Sequence, residues 1–167
     1  MPAIDNIDLK IADILDSDGR ASNREIARRL GISETTVRHR LGRMIDSGLL
    51  NVSAQFDIEE FPEIYLAVIG IKLNVPLEKC LEKFRAIPAV LYVLTLTGRY
   101  DLLVTILVNS RKMLARVVSK DIEAVEGVMD TETFVVLENT GLRVSASKLC
   151  ELLNSEPSHP LKSCGGE

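Results

Sequence analysis

Residues 20–50, RASNREIARRLGISETTVRHRLGRMIDSGLL, constrain the fold more than any other stretch of the chain. Ser22 followed by Glu25 is the pattern of a capping box that begins a helix, and apolar residues then recur at helical spacing. Gly31 is placed to end this helix with a positive φ, and Ser33 is placed to cap the next one. Two short helices joined by such a tight turn predict a helix-turn-helix.

The second helix of this pair separates into an apolar stripe and a polar surface. The stripe consists of Val37, Leu41, Met44 and Ile45. The side chains that can reach base edges or phosphates are those of Ser33, Thr35, Thr36, Arg38, His39, Arg40 and Arg43. The second helix of a helix-turn-helix enters the major groove of DNA, so we predict that these seven residues contact double-stranded DNA. His39 and Arg43 are expected on the face opposite the stripe, where their loss would leave folding intact.

A solvated polar face on an ordinary helix is the alternative interpretation of this surface. The charge distribution argues against it, because residues 20–43 contain seven arginines, no lysine and two acids in a chain of net charge −4. A basic segment on an acidic protein favours a nucleic-acid contact, since association depends on where the charge lies. We therefore predict a DNA-binding regulator.

Composition narrows the class of protein further. The chain has 167 residues, 46% of them hydrophobic, which is enough for one fair core or two small ones. It has neither an apolar run of membrane-spanning length nor a signal-peptide pattern, so we expect a cytoplasmic protein without membrane contact. Cys80, Cys150 and Cys164 are odd in number and widely spaced, which predicts free thiols. We expect no metal, no cofactor and no catalytic residues.

The N-terminal part is predicted to be helical and the next segment to be a connection. Residues 1–50 form the helix-turn-helix domain, which opens with a helix whose apolar stripe begins at Ile4 and whose first turn carries Asp5 and Asp8. Residues 51–63 are polar and acidic and end near Pro62, which predicts a wing and linker, with residues 49–56 as a short strand or wing.

Residues 64–138 alternate between strand and helix patterns. Strands are predicted over 64–74, 90–97, 101–108 and 128–137, and helices over 76–87 and 110–125. This βαββαβ order predicts an α+β fold in which a ferredoxin-like domain follows the winged helix-turn-helix domain. Both helices would cover one face of the sheet, so the apolar residues on the other face predict a homodimer.

The C-terminal segment is predicted to add one more helix. Residues 139–153 contain an apolar stripe over 142–153, which predicts an extra helix docked on the sheet domain or on a neighbour. Residues 154–167 are rich in Pro, Ser and Gly and are predicted to be a disordered tail.

Several spaced motifs together resemble the leucine-responsive regulatory protein/AsnC family, also called feast/famine regulators. The resemblance covers residues 4–137, most of the chain. Its motifs are Ile4-Asp5 with Asp8, the segment GISETTVRHRLGRMIDSGLL with Arg40 and Arg43 at basic positions, Ile87-Pro88 with Val90, Thr97-Gly98-Arg99-Tyr100-Asp101, and Gly127-Val128 with Thr131, Thr133 and Val135–Leu137.

The resemblance implies a C-terminal ligand-sensing domain that dimerises and commonly assembles into octamers. It implies that an amino acid or a related small metabolite binds between subunits near the loop. The effector-binding residues implied are Gly98, Arg99, Tyr100, Asp101, Phe134 and Val135. A hairpin that needs Gly98 and Asp101 only to turn is the alternative for this loop. If the loop does bind an amino acid, its backbone N–H groups would face the carboxylate, and Asp101 would meet the ammonium group.

Two other functions remain as alternatives. Some proteins that resemble this family decarboxylate sirohaem-type tetrapyrroles and depend on histidines, whereas this chain has only His39 and His159. A ligand-independent regulator, controlled by its abundance, is the other alternative.

Overall fold

The computed structural model describes residues 4–154 and divides into two compact units. The first unit extends to Ala54, and the second begins at Gln55. Cys164, His159 and the predicted tail beyond Asn154 lie outside the described residues.

The first unit is a bundle of three helices. They are α1 (Asn6–Ser17), α2 (Asn23–Leu30) and α3 (Glu34–Asp46). Its core contains Ile11, Ile26, Ala27, Val37 and Met44. Gly31 has a φ of 68° and ends α2 as predicted. Glycine can adopt this left-handed conformation without a steric penalty because it has no Cβ. The predicted pair of helices is confirmed, although Ile4 and Ile45 are exposed rather than part of a buried stripe.

The capping box lies on a different helix from the predicted one. Asp5 caps α1 by accepting from the backbone N–H groups of Ile7 and Asp8, and Asp8 accepts in return from the Asp5 N–H. At α2, Ser22 accepts from the Glu25 N–H, but the Glu25 carboxylate pairs with Arg29 instead of reaching back. The capping box predicted from Ser22 and Glu25 is therefore only half formed.

The predicted connection over 51–63 is largely part of the second unit. Residues 50–54 are in neither helix nor strand, so the strand predicted over 49–56 is wrong for most of its length. Strand β1 (Gln55–Asp57) pairs with a strand near the C-terminus, and a 3₁₀ turn follows over Ile58–Glu60. Ile58 belongs to the core of the second unit, and burying this side chain anchors the segment there.

The second unit is built on a four-stranded antiparallel sheet. Its strands are β2 (Tyr65–Leu73), β3 (Val90–Thr95), β4 (Leu102–Val108) and β5 (Val128–Val135), in the spatial order β3-β4-β2-β5. Side chains of β2 and β4 alternate between the two faces, and Ile69 and Val104 lie fully buried opposite each other. The order agrees with the ferredoxin-like arrangement predicted from the sequence.

The helices that cover one face of this sheet are shorter and less regular than predicted. The helix predicted over 76–87 is a 3₁₀ turn at Leu77–Lys79 followed by α4 (Leu81–Arg85). The helix predicted over 110–125 begins as α5 (Arg111–Arg116) and continues as a π-helical segment, Val117–Ile122. Both still bury their apolar side chains, which include Phe84, Met113, Val117 and Ile122.

The opposite face of the sheet is partly exposed to solvent. It carries Tyr92 and Leu94 on β3 and Phe134 on β5, each about half exposed. A row of residues across this face runs from Tyr92 through Thr105 and Val68 to Phe134. The predicted apolar face without a helix is therefore present.

The C-terminal segment forms a strand and then a helix. Strand β6 (Arg143–Ser145) pairs with β1, and α6 (Ala146–Asn154) packs Leu152 into the core. The helix predicted over 142–153 therefore starts later, because its first residues pair with the strand that opens this unit. The predicted docking on the sheet domain is confirmed.

Candidate functional site

The exposed surface of α3 contains few side chains that are free to contact a ligand. Thr35 and His39 are exposed, and their side chains make no hydrogen bond or ion pair within the described residues. Ser33 caps α3 by accepting from the Thr36 N–H, and its hydroxyl also lies 2.7 Å from the Thr36 hydroxyl. Arg38 pairs with Glu34 at 2.8 Å across one helical turn, and both side chains are well exposed. Such surface pairs contribute little free energy, so Arg38 can exchange this partner for a phosphate.

Arg40 and Arg43 instead hold α3 against α1. Arg40 Nη1 lies 2.6 Å from Asp5 Oδ2 and 2.9 Å from Asp8 Oδ1. Arg43 Nη2 donates to Asp8 Oδ2 at 2.6 Å, and the Asp8 side chain is fully buried. The prediction that Arg43 lies on a free face and could be lost without effect on folding is wrong, because a buried carboxylate depends on it.

The pKa values of the two aspartates reflect this network. The hydrogen bond from Arg40 lowers the pKa of Asp5, and the N–H of Asp8 adds to this effect. Burial alone would raise the pKa of Asp8, but the Asp5 N–H and the two arginines outweigh burial and lower it. Both carboxylates are therefore ionised at neutral pH and hold the arginines as charged partners.

The loop between β3 and β4 places Asp101 against the neighbouring strand. Asp101 Oδ2 accepts from the Leu73 N–H at 2.8 Å, and Oδ1 accepts from Lys72 Nζ at 3.1 Å. The hydrogen bond from the Leu73 N–H has the largest effect and lowers the pKa of Asp101, and the bond from Lys72 lowers it further. The carboxylate predicted to face a ligand ammonium group therefore already has two partners inside the sheet.

Three consecutive backbone N–H groups of the same loop have no partner in the described part of the chain. The N–H groups of Gly98, Arg99 and Tyr100 donate no hydrogen bond within residues 4–154. Gly98 has a φ of 135°, and a Cβ built there would meet no atom within 4 Å, so the space beside it is open. Consecutive free N–H groups of this kind can hold a carboxylate.

Tyr100 and Arg99 form a stack on strand β2. A Cβ added to Gly70 would lie 2.8 Å from the Tyr100 ring, so this ring rests directly on the glycine. The Arg99 guanidinium lies 5.3 Å from the ring centroid and 3.3 Å from Glu132 Oε2. The Tyr100 hydroxyl is buried and has no hydrogen-bond partner among the described residues. Sequence reasoning missed Gly70, Lys72 and Glu132, because only strand register brings them to the loop.

Phe134 and Val135 lie on opposite faces of β5. Phe134 is opposite Val68 on the exposed face, whereas Val135 is opposite Ala67 on the face that the helices cover. Val135 lines a separate cleft of about 710 Å³ with Ile58 and Leu114, away from the β3–β4 loop. Within one subunit, the structure therefore brings Phe134 but not Val135 to the face that carries Tyr100.

Other kinds of site have little support in the described part of the chain. Residues 4–154 contain no cluster of three or more His, Cys, Asp or Glu side chains arranged to hold a metal ion. None of the helices in this range is long and apolar enough to cross a bilayer. His39, on which the tetrapyrrole alternative would partly depend, is exposed on α3.

Comparison with known proteins identifies the family. A winged helix-turn-helix DNA-binding model matches residues 4–51, and an Lrp/AsnC ligand-binding domain model matches residues 66–143. The proline dehydrogenase transcriptional activator of Rhizobium radiobacter is 31% identical over 141 residues, which cover 81% of this chain and 90% of that protein. The chain belongs to the Lrp/AsnC family. It is a DNA-binding transcriptional regulator of the Lrp/AsnC type.

Solved structures of transcriptional regulators share the fold along most of the chain. E. coli AsnC superposes with a TM-score of 0.72 at 25% identity and covers 85% of this chain and 97% of its own. The L-Met complex of transcriptional regulator NMB0573 from Neisseria meningitidis gives 0.70 at 24% identity, covering 86% and 96%. The resemblance and the fold class predicted from the sequence are thereby confirmed.

Proposed function

We propose that this Lrp/AsnC regulator binds specific DNA sequences through α3 and that an amino acid or a related small metabolite modulates this binding. The observation that carries the proposal is the pair of free, exposed side chains, Thr35 and His39, on a helix that is capped by Ser33 and fixed by Asp8. A hydroxyl and an imidazole on a rigid helix can read base edges in the major groove. Arg38 can add a phosphate contact.

The effector is proposed to bind at the β3–β4 loop. The free N–H groups of Gly98 to Tyr100 would hold its carboxylate, Arg99 lies in the same loop, and Phe134 lies on the sheet face that carries the Tyr100 ring. Its ammonium group would compete with Lys72 for Asp101, a pair in which both side chains are about 40% exposed and which is therefore exchanged at low cost. NMB0573, a protein of the same fold, was solved with L-Met, which supports an amino acid as the class of ligand.

A homodimer is proposed to form through the exposed face of the sheet. Tyr92, Leu94 and Phe134 leave apolar surface on this face that a second copy would bury. An octamer of four dimers is the higher assembly that we propose. A ligand that binds one assembly better than another shifts the balance between them, and DNA affinity changes with it.

Selection of binding sites from randomised duplexes, with and without each common amino acid, tests the proposal. We expect one enriched sequence whose enrichment changes with at least one amino acid, and a calorimetric titration that shows heat with the same compound. The Thr35→Ala, His39→Ala double variant should lose about 1–3 kcal/mol per base contact on the enriched site, whereas Asp13→Asn on α1 should bind like the wild type. An enriched sequence without any effector response would identify a ligand-independent regulator. No enrichment at all would refute sequence-specific binding.

A further inference from the structure

The basic residues of the first unit fall into two sets according to their contacts. The paired set consists of Arg29 with Glu25 and Asp18, Arg38 with Glu34, and Arg40 and Arg43 with Asp5 and Asp8. The second set consists of Lys10, Arg20, Arg24 and Arg28, whose side chains are exposed and make no ion pair or hydrogen bond within the described residues. Of the seven arginines in residues 20–43, three therefore have no partner within the described residues.

The first unit as a whole carries no net charge. Residues 4–50 contain Lys10 and seven arginines against eight acids, five of which lie between Asp5 and Asp18. The excess of positive charge on the helix-turn-helix is therefore offset by α1 and the turn after it. Attraction to a polyanion must come from the local positions of the unpaired arginines rather than from the charge of the unit.

Arg24 and Arg28 occupy positions that are unfavourable for an isolated helix. They are four residues apart on α2, where two like charges repel each other. Arg24 also lies in the first turn, where the helix dipole disfavours a cation. Arg20 continues the same spacing of four just before the helix. A bound row of phosphates would relieve both effects, since it supplies the negative charge that the chain itself does not.

Arg40 and Arg43 are in the opposite situation. Each already has a carboxylate within 2.6 Å, and the Asp8 carboxylate is fully buried. Turning either arginine toward DNA would remove a partner from a buried charge, which is strongly unfavourable.

We infer that Arg20, Arg24 and Arg28 form the phosphate-binding surface of this unit, and that Arg40 and Arg43 are positioning residues that fix α3 on α1 through Asp8. In a helix-turn-helix the first helix of the pair crosses the DNA backbone, and here α2 carries Arg24 and Arg28 while Arg20 lies just before it. The inference rests on the proposed DNA binding and changes the residues that carry it: Arg20, Arg24 and Arg28 hold the DNA backbone, and α3 reads bases and adds the phosphate contact of Arg38.

The salt dependence of binding to a random-sequence duplex tests this division. Fluorescence anisotropy of a labelled duplex, titrated with the full-length protein at several KCl concentrations, gives the slope of log K against log salt. This slope is negative, and each lost phosphate contact reduces its magnitude by about 0.9 per bound subunit. We therefore expect Arg24→Ala and Arg28→Ala each to reduce its magnitude by about 0.9 per bound subunit, and the double variant by about 1.8 per bound subunit. Arg24→Lys keeps the charge and should keep the slope.

Two matched controls and Arg43→Ala decide the outcome. Arg29→Ala removes a paired arginine next to Arg28, and Lys10→Ala removes an unpaired cation on α1; both should leave the slope unchanged. Arg43→Ala should also leave it unchanged, with folding verified by circular dichroism at the assay temperature. The inference is overturned if Arg43→Ala reduces the magnitude of the slope as much as Arg24→Ala does. It is also overturned if the Arg24→Ala, Arg28→Ala double variant keeps the wild-type slope. A wild-type protein that binds no duplex would instead refute the proposed function itself.

Discussion

Replacing Asp8 by asparagine should destabilise the first unit while leaving the second unit unaffected. Asp8 accepts from the Asp5 N–H at 3.2 Å, from Arg40 at 2.9 Å and from Arg43 at 2.6 Å, with a fully buried side chain. Asparagine has nearly the same shape but no charge, and its single oxygen can face only one of the two guanidinium groups. Its NH₂ group would then meet the other arginine donor to donor.

The size of the effect follows from these contacts. A hydrogen bond to a charged group contributes about 1.5–3 kcal/mol, and the variant loses one such bond and weakens a second. Because Arg40 and Arg43 retain partial access to water, with 23% and 39% of their side chains exposed, they do not become fully unpaired buried charges. We therefore expect a loss of about 2–4 kcal/mol in the free energy of unfolding of the first unit. That loss corresponds to about 30-fold to several-hundred-fold more frequent opening.

Hydrogen–deuterium exchange of the full-length protein measures this opening directly. Amides in the middle of α1 and α3 should exchange faster by the expected factor, and amides of β2 and β4 in the same sample should be unchanged. Asp13→Asn is the matched control, because Asp13 is exposed on α1 and its side chain has no partner among the described residues. Equal exchange rates in Asp8→Asn and Asp13→Asn would show that the buried carboxylate does not hold the three helices together.

Three further outcomes are expected. The stability of the first unit should fall as the pH is lowered through about 4. The pKa values of Asp5 and Asp8 are lowered in the folded state, so the unfolded chain takes up protons first. Urea unfolding measured at several pH values should therefore show a weaker pH dependence in Asp8→Asn than in the wild type. Gly70→Ala should destabilise the second unit by about 1–3 kcal/mol because the new methyl group meets the Tyr100 ring. Adding Tyr100→Ala should recover part of this loss, whereas strictly additive losses of unfolding free energy would exclude the contact. Phe134→Glu should dissociate the proposed dimer in sedimentation experiments. Val52→Glu, at an exposed apolar position of the first unit, should leave the dimer intact. Equal sedimentation of the two variants would place the interface elsewhere.

The fold was predictable because its signals are local. The caps of α2 and α3, the glycine after α2 and the alternation of strand and helix patterns each depend on residues close in sequence. The less regular elements were not. Residues 143–145 lie inside the segment whose apolar residues recur at helical spacing, yet they form a strand because they pair with Gln55–Asp57. Only the tertiary structure supplies that partner, more than eighty residues away.

The candidate sites were predictable in position but not in the state of their charged groups. The sequence places Arg40, Arg43 and Asp101 at surfaces where a ligand contact is expected, and the wheel of α3 gives no reason to separate Arg43 from His39. The separation comes from Asp8, which is 35 residues away in the chain and 2.6 Å away in space. Asp101 is similarly engaged by Lys72 and the Leu73 N–H, which only the pairing of β2 with β4 brings near.

In both units, the charged side chains that the sequence assigns to ligand contacts, namely Arg40, Arg43 and Asp101, already have partners within the protein. A charged side chain that is half removed from water is stabilised by an opposite charge or an N–H group at hydrogen-bond distance, so folding pairs it before any ligand arrives. Among the described residues, the groups left unpaired are those that tolerate it: exposed Thr35 and His39 on α3, exposed Arg24 and Arg28 on α2, and the backbone N–H groups of Gly98 to Tyr100. It follows that Arg40 and Arg43 set the geometry of the first site, while uncharged donors and exposed cations make the contacts. Asp101 contacts a ligand only by exchanging Lys72 for its ammonium group. Variants of the first group should therefore change stability before specificity, and variants of the second group should change specificity or affinity with little effect on folding.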